Sequence, residues 1–281
     1  MGIFKWLVAV TAGAMATIGT GGLALAAQPT PWQLNFQPAA SPVMERITEF
    51  HNFLLIVITV ITLFVLALMI YVFVKFNARA NPTPTTTTHN TLVEVLWTVI
   101  PIIILVVIAV PSFKLMYYSD RAVEADMTLK AAGNQFFWTY EYPDHDDLTF
   151  DAIIVEEEDL KEGDLRLLTT DNAVVLPVDT TVRLLLTAND VIHSWAMPAF
   201  GVKLDAVPGR LNETWFRITK EGTYYGQCSE LCGANHGYMP IMVKAVSKVA
   251  FAAWVEQAKK EFAVDQAPES TRVASVGVRV E

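Results

Sequence analysis

Two uninterrupted apolar runs limit what this chain can fold into more than any other feature. Phe53 to Val74 is 22 residues without a charge, and Leu96 to Phe113 is another 18. A helix rises 1.5 Å per residue, so about 20 apolar residues cross the hydrocarbon core of a bilayer, and both runs read as membrane spans. Pro101 and Pro111 interrupt the second run, which transmembrane helices tolerate where neighbours re-satisfy the freed carbonyls. The connector carries Lys75 and Arg79 and no acid before Glu94, whereas Glu45, Arg46 and Glu49 precede the first span. The positive-inside rule therefore puts the connector in the cytoplasm and both flanks on the other face. Pro82, Pro84 and the threonines 85–88 cannot continue either helix, which makes the pair a hairpin with one polar turn.

The chain opens with Lys5, an apolar stretch rich in Ala and Gly, and the small residues Ala24-Leu25-Ala26-Ala27. That pattern predicts an export signal over 1–27, removed after translocation. Residues 28–116 then form a short outer segment and the hairpin, 117–264 a soluble domain, and 265–281 a polar, mobile tail.

Charge divides along the same lines. The formal net of −9 splits into +2 for residues 1–116 and −11 for residues 117–281. An acidic outer half disfavours nucleic acid and favours a basic protein partner.

After Tyr117 the pattern changes to short alternating runs, such as Val182, Leu184 and Leu186, punctuated by Gly, Pro, Asp and Asn. This reads as an all-β antiparallel sandwich or Greek-key barrel of seven to ten strands. Candidate strands lie at 128–132, 136–142, 165–170, 214–219, 223–226 and 241–246. Ser247 then caps a closing amphipathic helix with Phe251, Trp254, Val255, Ala258 and Phe262 on one face.

The chain has two cysteines, Cys228 and Cys232. In an exported domain a cysteine pair first suggests a disulfide. Here the segment from Cys228 to Met239 also places His236 and Met239 within twelve residues, and a disulfide needs neither. Thiolate, imidazole and thioether together suit copper in an electron-transfer site. His193 can supply a distant imidazole. Zinc competes, because Cys228, Cys232, His236 and His193 could close a tetrahedral site that leaves Met239 idle. A mononuclear blue site needs one thiolate and this loop offers two, which can bridge two coppers. Each copper then has a terminal imidazole, His193 or His236, and a weak axial donor, Met239 or the carbonyl of Glu230. Gly226, Gly233 and Gly237 allow the tight backbone that such a loop needs.

With His193-Ser194-Trp195, Asp205-Ala206-Val207-Pro208-Gly209-Arg210 and the stretch Gly226 to Pro240, the chain resembles the cytochrome c oxidase subunit II family over about residues 37–262. The resemblance implies a two-helix hairpin, a cupredoxin-like Greek-key barrel and a closing helix. It also implies a binuclear copper centre, CuA, held by His193, Cys228, Glu230, Cys232, His236 and Met239. The carboxylate matching Glu230 binds a magnesium or manganese ion shared with subunit I. The family's role is to accept electrons from cytochrome c and pass them to the haems of subunit I, with subunit III as a further neighbour, in the inner membrane of a bacterium with the copper domain periplasmic. Glu94 matches the acid that opens a proton pathway.

The tryptophan-rich strand of the family matches Gly133 to Tyr142, with a departure. Phe136 stands where the electron-entry tryptophan is usual, and Asn134 where a histidine is, so Phe136 and Trp138 are both entry candidates. Eleven carboxylates lie between Glu141 and Asp164, a field suited to steering a basic haem protein. Of the acids in and around it, Glu141, Asp171 and Asp190 match docking positions. A quinol oxidase subunit would lack the copper ligands. A soluble copper carrier would need no spans, and a zinc- or disulfide-stapled domain remains a rival.

Overall fold

The computed structural model of the chain describes residues 27–83, 85–121 and 123–262; the export signal expected over 1–27, apart from Ala27, and the tail at 265–281 lie outside them. Both apolar runs are helical and longer than their charge-free cores. Helix α1 runs Pro42–Lys75 and α2 Thr91–Ser119. Ser41 caps α1, its hydroxyl accepting from the Met44 amide at 3.0 Å, and Pro42 occupies the first turn, where a missing N–H costs nothing. Asn90 caps α2 by accepting from the Val93 amide, while Glu94 accepts from the Asn90 amide, each at 3.2 Å. The two contacts form a reciprocal cap. Pro101 and Pro111 both lie within α2. Large side chains along the two helices, such as Phe64, Phe73 and Leu105, are more than half exposed, as expected of surfaces that meet lipid or other apolar helices.

Ten strands follow: β1 Met127–Asn134, β2 Phe137–Tyr142, β3 Leu148–Ala152, β4 Val174–Pro177, β5 Thr181–Ala188, β6 His193–Met197, β7 Val202–Ala206, β8 Asn212–Arg217, β9 Gly222–Cys228 and β10 Pro240–Val246. They form two five-stranded sheets, in the orders β3-β2-β1-β5-β8 and β4-β10-β9-β6-β7. The expected antiparallel pairing is corrected at two places, since β1 runs parallel to β5 and β10 parallel to β4. Those pairs join strands distant in sequence, which no hairpin constrains.

The candidate strand at 165–170 is also corrected. Leu167 has φ +63°, and the Leu165 carbonyl accepts from the amides of Leu168 and Thr169 at 3.1 and 3.0 Å. The alternation of leucines there belongs to a turn, pinned by the Gln227 side chain donating to the Leu167 carbonyl at 3.1 Å; only Thr170 forms an isolated bridge, with Ile154.

Trp138, Tyr140 and Tyr142 point inward from β2 and are fully buried. Each spends its polar atom across the sandwich. Trp138 Nε1 donates to the Met239 carbonyl at 3.4 Å, Tyr140 Oη accepts from Trp195 Nε1 at 3.2 Å, and Tyr142 Oη donates to the Val175 carbonyl at 3.0 Å. These bonds satisfy groups that would be costly to bury unpaired and fix how the sheets face one another. Helix α3, Lys248–Phe262, closes the domain. Ser247 caps it, accepting from the Ala250 amide at 3.2 Å, and its Phe251, Val255 and Ala258 are buried, with Trp254 and Phe262 packed on Tyr142 and Phe150.

The hairpin is tied to the sandwich at both helix ends. Ala40 N donates to the Ala199 carbonyl and Thr219 N to the Ala40 carbonyl, both at 2.9 Å, and the Ser41 hydroxyl donates to the Phe200 carbonyl at 2.6 Å. At the end of α2, Trp215 Nε1 donates to the Ser119 carbonyl at 3.1 Å, and Tyr118 meets the Trp215 ring edge-on. Because Ser41 is buried and serves two partners, Ser41→Ala should cost about 1–3 kcal/mol through the orphaned carbonyl and the lost cap. A thermal melt of the membrane-extracted protein, with Thr48→Ala on the same helix as control, checks this.

Candidate metal centre

The side chains singled out in the sequence arrive from two places. His193 opens β6, and the loop from Cys228 to Met239 joins the paired strands β9 and β10. Pairing of β6 with β9 at Trp195 and Cys228 brings the distant imidazole to the loop. Gly226 permits that approach, because a Cβ there would collide with the Ala196 carbonyl. Gly233 has φ +138° and lies against the Gln135 amide and the Phe136 ring, so a side chain would be strained twice over. Gly237 is corrected: its surroundings are open and its φ is not positive.

Three side chains and one carbonyl gather around the two cysteine sulfurs. Cys228 Sγ lies 4.0 Å from Cys232 Sγ, 3.9 Å from His193 Nδ1 and 3.4 Å from the Glu230 carbonyl. Cys232 Sγ lies 3.4 Å from His236 Nδ1 and 3.5 Å from Met239 Sδ. Both thiols are free and buried, and their separation is about twice an S–S bond. Met239 and His193 are at most 1% exposed, while the Glu230 residue is exposed, its carbonyl turned to the sulfur. Burial, with the adjacent Cys228, pushes the Cys232 thiol up to about 12. The donors fit a soft metal. Two sulfurs with no bond between them, two imidazole nitrogens and a thioether are a copper-type set, and Met239 would serve no purpose around zinc.

Asp190 does something that sequence reasoning missed. Its carboxylate takes His193 Nε2 at 2.8 Å and the amides of Gln135 and Val191, both at 2.6 Å. Burial works against its charge, yet the His193 contact and the two amides outweigh burial and hold its pKa below the usual carboxylate value. A carboxylate on one ring nitrogen fixes the tautomer that leaves the other free for a metal. Gln135 also braces the loop, its Nε2 donating to the Cys232 carbonyl at 2.5 Å. The sequence signal was available for Asp190, three residues before His193, and absent for Gln135.

The other singled-out residues do not join the cluster. Glu141 is ion-paired with Lys130 at 2.6 Å, and Asp171 is exposed and accepts from the amides of Ile153 and Asn172, both at 2.7 Å. Trp138 is fully buried under the site, its ring 6.0 Å from that of His193. Phe136 is half-buried against Gly233 at the surface of the loop. Glu94 lies at the far end of α2, engaged in the helix cap described above.

An apolar two-helix anchor bearing a β-sandwich, with a thiol–imidazole–thioether cluster between its strands, defines a membrane-anchored cupredoxin-like subunit. Comparison with known proteins agrees. Residues 29–115 match the profile of the cytochrome c oxidase subunit II transmembrane domain and residues 127–246 that of its periplasmic domain. A probable cytochrome c oxidase subunit 2 of Rickettsia bellii is 55% identical over 235 residues, covering 84% of this chain and 87% of the relative. The cytochrome c oxidase subunit 2 of Oenothera berteroana is 48% identical over 239 residues, covering 83% and 93%. The crystal structure of the periplasmic domain of cytochrome oxidase subunit II from Bradyrhizobium japonicum is 50% identical, covering 50% of this chain and 99% of that one, with a TM-score of 0.48. The chain belongs to the cytochrome c oxidase subunit II family, and so to a subunit of a haem-copper oxidase complex.

Proposed function

We propose that the chain is the electron-entry subunit of its oxidase, taking electrons from a cytochrome c at a binuclear CuA centre and passing them to the haems of subunit I, which reduces oxygen and translocates protons. The observation that carries this is the pair of free, buried thiols 4.0 Å apart with His193, His236 and Met239 around them. Two coppers held by His193, Cys228, Glu230 carbonyl, Cys232, His236 and Met239 would supply one-electron chemistry with little rearrangement. The protein's share is preorganisation. Asp190 orients His193, Gln135 holds the loop carbonyl, and the β6–β9 pairing fixes the distance between them.

Glu230 turns its carbonyl inward, which suits its exposed carboxylate to a magnesium or manganese ion at the contact with subunit I. The outer segment and hairpin at 28–116 anchor the domain at 117–264 on the periplasmic face of a bacterial inner membrane, after removal of the signal at 1–27. Subunit III and the proton-entry role of Glu94 belong to the same reading. Metal analysis of the assembled oxidase tests it: two coppers should be attributable to this chain, with one unpaired electron coupled to two copper nuclei. Glu230→Gln should keep that signal and lower bound magnesium or manganese. A single copper, or zinc in its place, overturns the reading.

Electron entry is assigned to Phe136, because it reaches the surface and its ring lies on Gly233 of the ligand loop, whereas Trp138 is sealed beneath. Phe136→Ala should slow electron transfer inside the formed complex several-fold and spare association. Asp171→Asn should do the reverse, lowering the association rate and its salt dependence, since an exposed charge acts mainly on encounter within a Debye length of about 8–10 Å. Asp190→Asn should change both association and the absorption spectrum of the centre, which separates its bracing of His193 from simple steering. Stopped-flow kinetics over a salt series reads all three.

A further inference from the structure

Between the ends of α1 and α2 nearest the sandwich lies a cleft of about 320 Å³. Its floor is apolar, made by Phe50, Phe53, Pro111 and Leu115, and its rim carries Arg46, Lys114 and a single acid, Glu49. The depth of these groups follows from the sequence. Phe53 opens the first charge-free run and Lys114 directly follows the second, while Arg46 lies seven residues, about 10 Å of helix, outside Phe53. In a bilayer spanned by these helices, the floor meets the part of the acyl chains nearest the glycerol and the rim stands among the headgroups.

The rim cations are not neutralised. Among the ion pairs of the described residues neither Arg46 nor Lys114 has a carboxylate partner. The Arg46 guanidinium lies 3.7 Å from the centroid of the Tyr118 ring, and Arg121 approaches the same ring at 4.3 Å. Tyr118 thus holds the Arg46 guanidinium at the edge of the apolar cleft, while Arg121 also lies 4.9 Å from the Trp215 ring, outside the cleft. Counted over its lining, the cleft bears two positive charges and one negative, a net of +1.

We propose that this cleft binds one phospholipid of net negative charge, its phosphodiester against Arg46 and Lys114 and an acyl chain along Phe50, Phe53, Pro111 and Leu115. A phosphodiester without a counter-charge balances the net +1 of the lining. A headgroup with its own ammonium brings no net charge and gains less. Polar contacts at the rim position the headgroup, and the floor hides apolar surface that would otherwise face the boundary layer. The inference rests on α1 and α2 spanning the membrane and is independent of the metal centre.

The test uses the assembled oxidase, delipidated in detergent and titrated with dioleoylphosphatidylglycerol or dioleoylphosphatidylethanolamine under native mass spectrometry. Subunit-resolved dissociation identifies lipid retained on this chain. The wild type should retain one phosphatidylglycerol at least about tenfold more tightly than phosphatidylethanolamine. The double variant Arg46→Gln/Lys114→Gln should lose that preference, and Lys75→Gln/Arg79→Gln at the opposite end of the hairpin should keep it. An unchanged spectrum of the metal centre shows that each variant is folded. Equal retention of the two lipids by the wild type, undiminished retention by the double variant, or binding by the isolated chain with none in the assembled oxidase would each overturn the proposal.

Discussion

Replacing either Cys228 or Cys232 with serine should abolish the two-nucleus copper signal and lower copper affinity by at least about 100-fold, the upper end of what the loss of even a supporting group costs a metal site. The two cysteines are not equivalent by position: Cys228 ends β9 beside His193 and the Glu230 carbonyl, and Cys232 lies in the loop beside His236 and Met239. If the sulfurs bridge, each serves both metals and the two substitutions give the same result. If instead one sulfur serves a single copper and the other is bystander, one variant keeps a mononuclear blue spectrum. Metal uptake should also strengthen as pH rises. Burial and the adjacent Cys228 push the Cys232 thiol up to about 12, so the metal must displace its proton throughout the neutral range, and every unit of pH removes part of that competition. A flat affinity between pH 6 and 8 would show that the thiol is not a ligand.

Gly133→Ala should damage the site without replacing a ligand. A Cβ at Gly133 would lie 2.6, 2.7 and 2.9 Å from Cδ2, Cγ and Cβ of His193, against a ring rather than the free end of a flexible chain. Neither side can yield cheaply. Gly133 is locked in β1, paired with Trp138 and Ala188, and His193 is clamped by Asp190. Overpacking of this kind costs about 1–3 kcal/mol, and displacement of the imidazole should reduce copper binding at least about tenfold. Gly237→Ala, in open space within the ligand loop, is the control and should be neutral in both respects. A Gly133→Ala protein with wild-type spectrum and melting temperature would mean that His193 is freer than the packing around it indicates.

Much of the molecule was legible because its signals are local. The spans follow from charge-free runs, and the ligand loop from four donor residues within twelve positions. The closing helix follows from its cap and apolar stripe. What escaped reading is set by contacts distant in sequence. Gln135 reaches the Cys232 carbonyl across 97 positions, and Gly133 matters only because β1 lies under β6. The parallel pairs β1–β5 and β4–β10 leave no mark on either strand, since alternation says which face is buried and nothing about the neighbour. Leu165 to Thr170 had the alternation of a strand but the backbone of a turn, where Leu167 takes a positive φ and the carbonyl of Leu165 is already spent within the segment. Asp190 is visible as an acid near His193 and its sequence match suggests docking, because a sequence cannot show which carboxylate turns toward the imidazole.

The double tie between hairpin and sandwich bears on distance. Electron tunnelling weakens exponentially with the gap between donor and acceptor, so a domain swinging on a loose stalk would sample a wide spread of rates, most of them slow. Here the bonds of Ala40 and Ser41 at one helix and of Ser119 and Trp215 at the other remove the swing about either single contact. The height of the ligand loop above the membrane is therefore a property of the folded chain itself, set before any neighbouring subunit docks.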